Sequence, residues 1–231
     1  MSKAEAWTTD DAEAIPARVL EELEAAEVAR GRPLIAVDAD EVLVHFAEHF
    51  AEFCEKRGFA FALVEYRLDN ALRHADGTPL TRDEITPLIW EFIETQTRWQ
   101  RPIDGAAAAL DRLQASAQIV VLTNAPAKVR EDRVANLADL GMPWPVVMNE
   151  GGKGRALKWL ADRADAPVVF IDDSVAQHGS AAKHAPEVMR FHMVVPDLLK
   201  PVIGAAEGAD ARLHGWDEAT AAIAEALTNG R

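Results

Sequence analysis

Two aspartates separated by one residue, Asp38 and Asp40, close the apolar run Leu34-Ile35-Ala36-Val37. Unpaired charge is costly to bury, so packing gives little reason to end a buried run in acids. Chemistry gives a better one. A carboxylate such as Asp38 can attack phosphorus and form an aspartyl-phosphate, dividing a hydrolysis into two easier displacements. Asp40 is suited to give a proton to the leaving oxygen and later to take one from water. Residues i and i+2 of a strand share a face, so both acids could enter one pocket. Read blandly, Asp38-Ala39-Asp40 is a polar turn.

Three further stretches weigh against the bland reading. Ile119-Val120-Val121-Leu122 ends in Thr123-Asn124, Val168-Val169-Phe170-Ile171 ends in Asp172-Asp173-Ser174, and Gly151-Gly152-Lys153-Gly154 opens a helical pattern between them. The Thr123 hydroxyl and the Asn124 N–H could hold phosphate oxygens as charge builds on them. Thr and Asn are also common helix caps. Lys153, in its glycine-flanked turn, could neutralise both a phosphate and a nucleophilic carboxylate. Its competitor, Lys158, lies a turn and a half into the helix, farther from the strand ends. Four acids cannot hold a dianionic phosphate without a cation, and Mg²⁺ suits a few carboxylates plus a phosphate oxygen. Asp38, the carbonyl of Asp40 and Asp173 are the expected direct ligands, with Asp172 binding through water or orienting the others. Spacing does not decide between Asp172 and Asp173, and the pair also has the form of a helix N-cap. His45, close behind the first acids, is the candidate for meeting the substrate beyond its phosphate, while Arg67, Arg73, His74, Arg98 and Arg101 read as solvent-facing cations.

These residues need a scaffold that gathers separated strand ends. Short apolar runs without alternation suit strands buried on both faces, and strands alternating with helices indicate βα units in a mainly parallel sheet. In such sheets ligands bind beyond the carboxyl ends of the strands. The pattern predicts a helix over 17–30 ending at Gly31, strands at 34–38, 119–122, 146–148, 168–171 and 191–195, and helices over 106–115, 127–140, from Lys153 and over 175–184. It predicts extended chain over 211–216 and a last helix capped by Asp217. Between the first two core strands, 44–102 carries mostly helical signal. The stripe Phe46, Phe50, Phe53 opens a helix whose core face it forms, and helix-like sequence continues to about Ala71. Thr81 and Glu84 have capping-box spacing ahead of a helix reaching Trp99, with Pro87 in or near its first turn. One crossover helix needs far fewer residues, so 44–102 reads as an inserted helical unit, leaving 1–43 and 103–231 as the core, with 1–32 as a helical N-terminal extension.

Strand–Asp-x-Asp, strand–Thr-Asn, lysine at a helix start and strand–Asp-Asp follow in this order over residues 33–195. The set resembles the haloacid dehalogenase (HAD) superfamily, in its phosphatase branch. The resemblance implies a Rossmann-like three-layer αβα core with a helical cap between its first and second motifs. It implies Mg²⁺-dependent removal of phosphate from a small phosphomonoester, with Asp38 as nucleophile and Asp40 as acid and base. The dehalogenase branch lacks the second aspartate, so Asp40 favours phosphoryl transfer. One departure is Glu41-Val42, where the family often has Gly-Thr; it puts the local turn and the substrate subclass in question. Two other functions fit the same fold: phosphotransfer to a second substrate, as in mutases, and non-catalytic binding or regulation.

The formal net charge of −14 argues against a nucleic-acid polymer as partner and requires local positive groups or a metal to attract phosphate. The 231 residues, 49% hydrophobic, suffice for one α/β domain with an insertion. Cys54 is the single cysteine, which precludes an intrachain disulfide. Residues 1–15 are polar and Ala-rich, with no apolar signal core, and no run approaches membrane-spanning length, so the expectation is a cytoplasmic protein without a membrane partner. Oligomeric state is left open.

Overall fold

The computed structural model describes residues 14–63 and 71–229. Six strands form one parallel sheet: β1 (Leu34–Val37), β4 (Gln118–Thr123), β5 (Val146–Met148), β6 (Val168–Asp172), β7 (Met189–Met193) and β8 (Ala211–Leu213), in the order β5-β4-β1-β6-β7-β8. The chain winds outward from β1 through β4 to β5, then returns to the other side of β1 through β6. This reversal places the ends of β4, β1 and β6 side by side, the position at which open α/β sheets bind ligands. Register sharpens it: Val37 pairs with Val121 on one side and Ile171 on the other, so Asp38 and Asp172 stand level on adjacent strands.

The apolar runs lack alternation because both sheet faces are covered. Ile35, Val37, Val121, Val169 and Ile171 face one core with α4 (Ala106–Leu113), α5 (Arg130–Asp139) and α8 (Trp216–Asn229). Leu34, Ala36, Val120, Leu122 and Phe170 face the other, with α1 (Ala17–Ala25), α6 (Gly154–Ala164) and α7 (Val175–His184). The three-layer αβα architecture expected from the sequence is the one observed. Helix α1 also shields the outer edge of β5: Glu22 Oε2 accepts from Met148 N at 2.7 Å, and Arg18 Nη2 donates to Met148 O at 2.8 Å. Two side chains thus take the place of a neighbouring strand.

Segment 44–102 contains α2 (Ala47–Glu55), a two-stranded antiparallel ribbon of β2 (Ala60–Phe61) and β3 (Leu72–Arg73), and α3 (Arg82–Gln96) followed by a 3-10 turn over Thr97–Trp99. The ribbon corrects the expectation of helix as far as Ala71. Gly58, at φ +86°, turns the chain, and Phe59, Phe61 and Leu63 then alternate with alanines in a period of two that suits a strand. Phe50, Phe53 and Phe92 meet as an aromatic cluster, with Phe92 edge-on to both others at 5.3 and 5.4 Å, so the stripe is core. Thr81 and Glu84 do begin α3, with Thr81 N donating to Glu84 Oε2 at 2.8 Å. Pro87 lies in the second turn of α3, near the helix start as expected.

Three other boundaries move. Helix α1 stops at Ala25, Glu27 takes a left-handed φ of +51°, and Gly31 joins the loop to Ala164 O instead of capping the helix. Strand β7 begins and ends two residues earlier than predicted. Helix α8 begins at Trp216, whose indole donates to Val42 O at 2.9 Å, so Asp217 sits inside the first turn and not at the N-cap position. Arg67 and the polar stretch before Ala14 lie outside the described residues. Among the described residues no helix is long and apolar enough to cross a membrane.

The aromatic cluster of the insert is continuous with the sheet's own core. Phe92→Ala is therefore expected to lower unfolding free energy by about 3–5 kcal/mol in one cooperative transition, followed by denaturant titration with both far-UV and tryptophan signals. Two separated transitions would show that the insert folds as a unit of its own.

Candidate active site

Asp38 follows β1 directly, its N–H donating to Ile171 O at 2.9 Å and so continuing the β1–β6 ladder one step. Its Oδ1 accepts from Ala39 N at 2.7 Å and lies 2.9 Å from Lys153 Nζ. The same ammonium donates to Asp172 Oδ2 at 2.6 Å. Lys153 is 1% exposed, so it leaves water for two carboxylates. Asp172 Oδ1 accepts from Ser174 N at 2.8 Å, which engages both oxygens of that acid. Asp38, Asp172 and Asp173 each offer an oxygen within 4.8 Å of the others. Three acids against one ammonium make an oxygen donor set of net negative charge, suited to a hard divalent cation. Burial pushes Asp38 up to about 7; Lys153 pulls it down, while Asp172 and Asp40 raise it further.

Local packing dictates where Lys153 sits. It precedes α6, and its own N–H donates to Gln177 Oε1 at 2.7 Å. A methyl group on Gly154 would stand 2.1 Å from Ser180 O, so glycine is what lets α6 close on α7. Asn124 Nδ2 donates to Gly151 O at 2.7 Å, and Asn149 Nδ2 donates to Asn124 Oδ1 at 2.9 Å. The Asn124 side chain thus braces the loop that carries the lysine. Thr123, at the end of β4, has a buried Oγ1 with no partner among the described residues, an orphaned hydroxyl of the kind an incoming acceptor satisfies. Behind the acids, His178 Nε2 donates to Asp172 O and His192 Nε2 to Asp173 O, both at 2.9 Å. Burial lowers the pKa of both imidazoles.

Asp40 lies in the same region, near enough for its charge to raise Asp38. Its Oδ1 is held by Arg133 Nη2 at 2.7 Å and Gln100 Nε2 at 3.1 Å. Neither residue was a sequence candidate. Arg133 had a signal in Val129, Arg133 and Leu137, which share one face of the helix at intervals of four. Gln100 had none. Lys158 is a surface residue paired with Asp162 and Glu187, as its position in the helix suggested. His45 is not gathered with the acids: its Nδ1 lies 3.4 Å from Glu48, and its carbonyl accepts from Gln100 at 3.2 Å. Arg98 and Arg101 pair with Asp139 and Glu52, and His74 with Glu84. Arg73 Nη1 donates to Leu72 O at 3.0 Å.

Glu41 explains how the chain tolerates a non-glycine turn. Its φ is +62°, a conformation costing an ordinary residue about 1–2 kcal/mol. Its carboxyl reaches the first turn of α2 and accepts from Ala47 N, satisfying a helix-terminal donor that a glycine would leave unmet. Burial pushes this carboxyl up to about 8, against the opposing pull of the Ala47 N–H.

A six-stranded parallel sheet with its acids and a lysine at the switch point defines an α/β protein with a charged site at its strand ends. The fold is that of the HAD-like hydrolases. A HAD-family hydrolase from Deinococcus radiodurans, solved with bound phosphate and sodium, superposes with a TM-score of 0.58 at 18% identity, over 87% of this chain and 97% of that one. A haloacid dehalogenase-like hydrolase from Streptococcus pneumoniae gives 0.56 at 14%, over 83% and 98%. An L-2-haloacid dehalogenase gives 0.55 at 14%, over 84% and 100%. Among curated proteins, 2-phospho-L-lactate guanylyltransferase of Halobacterium salinarum is 26% identical over 166 residues, 67% of this chain and 71% of that one. No family model matches.

The Glu41 carboxyl yields a pH prediction with a definite sign. Unfolded, it ionises near 4.5; folded, it keeps its proton to about 8. Between those values the folded state binds a proton that the unfolded chain has released, so stability falls as pH rises, and Asp38 adds a slope of the same sign. Glu41→Gln should make the decline shallower and stabilise the protein near the alkaline end of the window. Urea titrations at a series of pH values between about 5 and about 8 would read this. An unchanged slope would mean that Glu41 ionises normally in the fold.

Proposed function

We propose that this chain is a Mg²⁺-dependent phosphatase that releases phosphate from a small phosphorylated metabolite through an aspartyl-phosphate on Asp38. The observation that carries the reading is the meeting of Asp38, Asp172 and Asp173 around the buried Lys153 ammonium, at the carboxyl ends of β1 and β6. Asp40 distinguishes this reading from dehalogenation, since a phosphate ester needs its leaving oxygen protonated and a halide does not.

In this mechanism Lys153 holds Asp38 through Oδ1 and screens it from Asp172, so the nucleophile meets phosphorus in a fixed pose. Thr123 Oγ1 donates to a phosphate oxygen, and the backbone N–H of Asn124 joins it. Asp40 protonates the leaving oxygen, then takes a proton from the water that attacks the aspartyl-phosphate. Asp38, the carbonyl of Asp40 and Asp173 would hold the cation, with Asp172 orienting because its oxygens are engaged by Lys153 and Ser174. When bound, Mg²⁺ supplies positive charge that offsets the acids and the phosphate dianion. Segment 44–102 acts as a cap that excludes water and selects the leaving group, with His45 at its entry.

The test is phosphate release from a panel of phosphomonoesters with and without Mg²⁺. Chelation should abolish release and Mg²⁺ should restore it. Asp38→Asn should cost on the order of 1,000-fold or more in kcat while folding normally. Transfer of the phosphoryl group to an acceptor with no inorganic phosphate would identify a phosphotransferase instead, and wild-type-like turnover by Asp38→Asn would remove the covalent route.

The ligand assignment has a separate outcome. Asp173→Ala should raise the Mg²⁺ concentration needed for half-maximal rate, or the Kd for Mg²⁺ by calorimetry, more than Asp172→Ala does. The reverse order would exchange their roles.

A further inference from the structure

We infer that Arg133, together with Gln100, is the positioning residue for Asp40, and that the pair leaves Oδ2 of that carboxylate as the oxygen that exchanges a proton with the leaving group. The inference rests on the phosphatase reading above and adds to it residues outside its four motifs.

Arg133 lies in the middle of α5 and is 1% exposed. Its Nη2 donates to Asp40 Oδ1, while its Nε and Nη1 are buried without partners among the described residues. Desolvating a guanidinium is expensive, and leaving further N–H groups unmet adds to the cost. A helix that kept an arginine here for stability alone would meet those donors too. What this arginine secures is one contact, at Asp40. Gln100 is 2% exposed and brings its Nε2 to the same Oδ1 and to His45 O. Asn136, one turn along α5, donates to Gln100 O at 2.9 Å and to Arg98 O at 3.2 Å. Both donors to Asp40 are thereby moored to one helix.

Two donors on one oxygen prevent the carboxylate from rotating. Among the described residues none donates to Oδ2, and Asp40 keeps 23% of its side chain exposed although its anchors are buried. A proton donor must be held in reach of one atom in one orientation, and this arrangement supplies that. In the first step the Asp38–phosphorus bond forms and the bond from phosphorus to the ester oxygen breaks. The proton on Oδ2 passes to that oxygen. In the second step water bonds to phosphorus, the Asp38–phosphorus bond breaks, and a proton from water returns to Oδ2.

The test compares two substrates with Mg²⁺ present: p-nitrophenyl phosphate, whose leaving group needs no proton, and glycerol phosphate, whose leaving group does. Arg133→Met should lower kcat/KM for glycerol phosphate by about 100-fold or more, and for p-nitrophenyl phosphate by less than about 10-fold. Arg133→Lys, which returns a cation, should recover part of the selective loss. Gln100→Leu should show the same selectivity at smaller size, and it carries the test if Arg133→Met fails to fold. Equal losses on both substrates in Gln100→Leu and in the folded Arg133 variants would make the pair a structural brace and overturn the inference. A wild-type protein that releases phosphate from neither substrate would overturn the phosphatase reading, and this inference with it, whereas an active wild type with equal losses in the variants would overturn the inference alone.

Discussion

The burial of one ammonium group constrains the rest of this structure. Lys153 Nζ reaches neither solvent nor a surface acid; it lies between Asp38 and Asp172. Neither partner of such an arrangement is tolerable alone, because an isolated buried charge costs several kcal/mol. The two carboxylates therefore have to stand level on adjacent strands, which parallel pairing of β1 and β6 in this register achieves. The lysine has to arrive from the loop after β5, and that requirement accounts for an otherwise odd collection of residues. Gln177 accepts from its N–H, Gly154 removes the Cβ that would strike Ser180, and Asn124 and Asn149 hold the carbonyl of Gly151. Each would read as a generic polar or small residue, yet each acts on the position of a single nitrogen.

A second constraint joins the acids to the insert. The chain leaves the sheet through Asp40 to Val44 and returns through Gln100 to Ile103, and the two passages are tied. Val44 bridges Pro102, His45 N donates to Arg101 O, and Ile103 N donates to Leu43 O. Glu41 fastens the outward passage to α2, and Trp216 fastens it to α8 through Val42 O. Ala47 at the start of α2 packs on Val194, Leu199 and Ile203 from the β7–β8 connection. The insert is thus joined to the core by backbone bonds between its two connecting passages and by apolar packing beyond them. Any displacement of the insert would be felt first at Gln100, which touches Asp40 directly.

These relations explain what the sequence disclosed and what it withheld. The four unbroken apolar runs at 34–37, 119–122, 146–148 and 168–171, the acids and threonine at strand ends and the lysine at a helix start are local facts, and burial on both faces of a parallel sheet follows from the runs. The β2–β3 ribbon was also legible in the alternation Phe59, Phe61, Leu63; strong helical signal on either side obscured it. Arg133 is a harder case. Beside Arg130, Glu131 and Asp132 it looks like part of a charged helix face, and only its spacing from Val129 and Leu137 shows that it points inward. Gln100 and Gln177 could not have been found, because their roles depend on which loop lies opposite. Glu41 left the local turn open for a different reason: a left-handed turn favours glycine, but a side chain able to reach the α2 terminus offsets the strain.

Charge at the site follows a different logic from charge on the whole chain. Across the sequence the balance is −14, a field that repels phosphate. At the site, Asp38, Asp40, Asp172 and Asp173 face Lys153 and Arg133; with all four acids ionised, four carboxylates against two cations leave an excess of two negative charges. The two cations are not interchangeable. Lys153 bridges two acids, whereas Arg133 pairs, among the described residues, with Asp40 alone, although the Asp40 charge is still felt at Asp38. What remains around Asp38 and Asp173 is an excess that one divalent cation would cancel. A phosphate dianion would then approach a locally neutral pocket whose unmet hydrogen-bond groups include the Thr123 hydroxyl, and the repulsion of the surrounding surface, screened by salt over about 10 Å, would be felt mainly during approach. Specific binding is thus compatible with an acidic chain, because Lys153 and a cation held by the acids would lie within contact distance of the phosphate, whereas the surface charges lie farther off and are screened by solvent and salt.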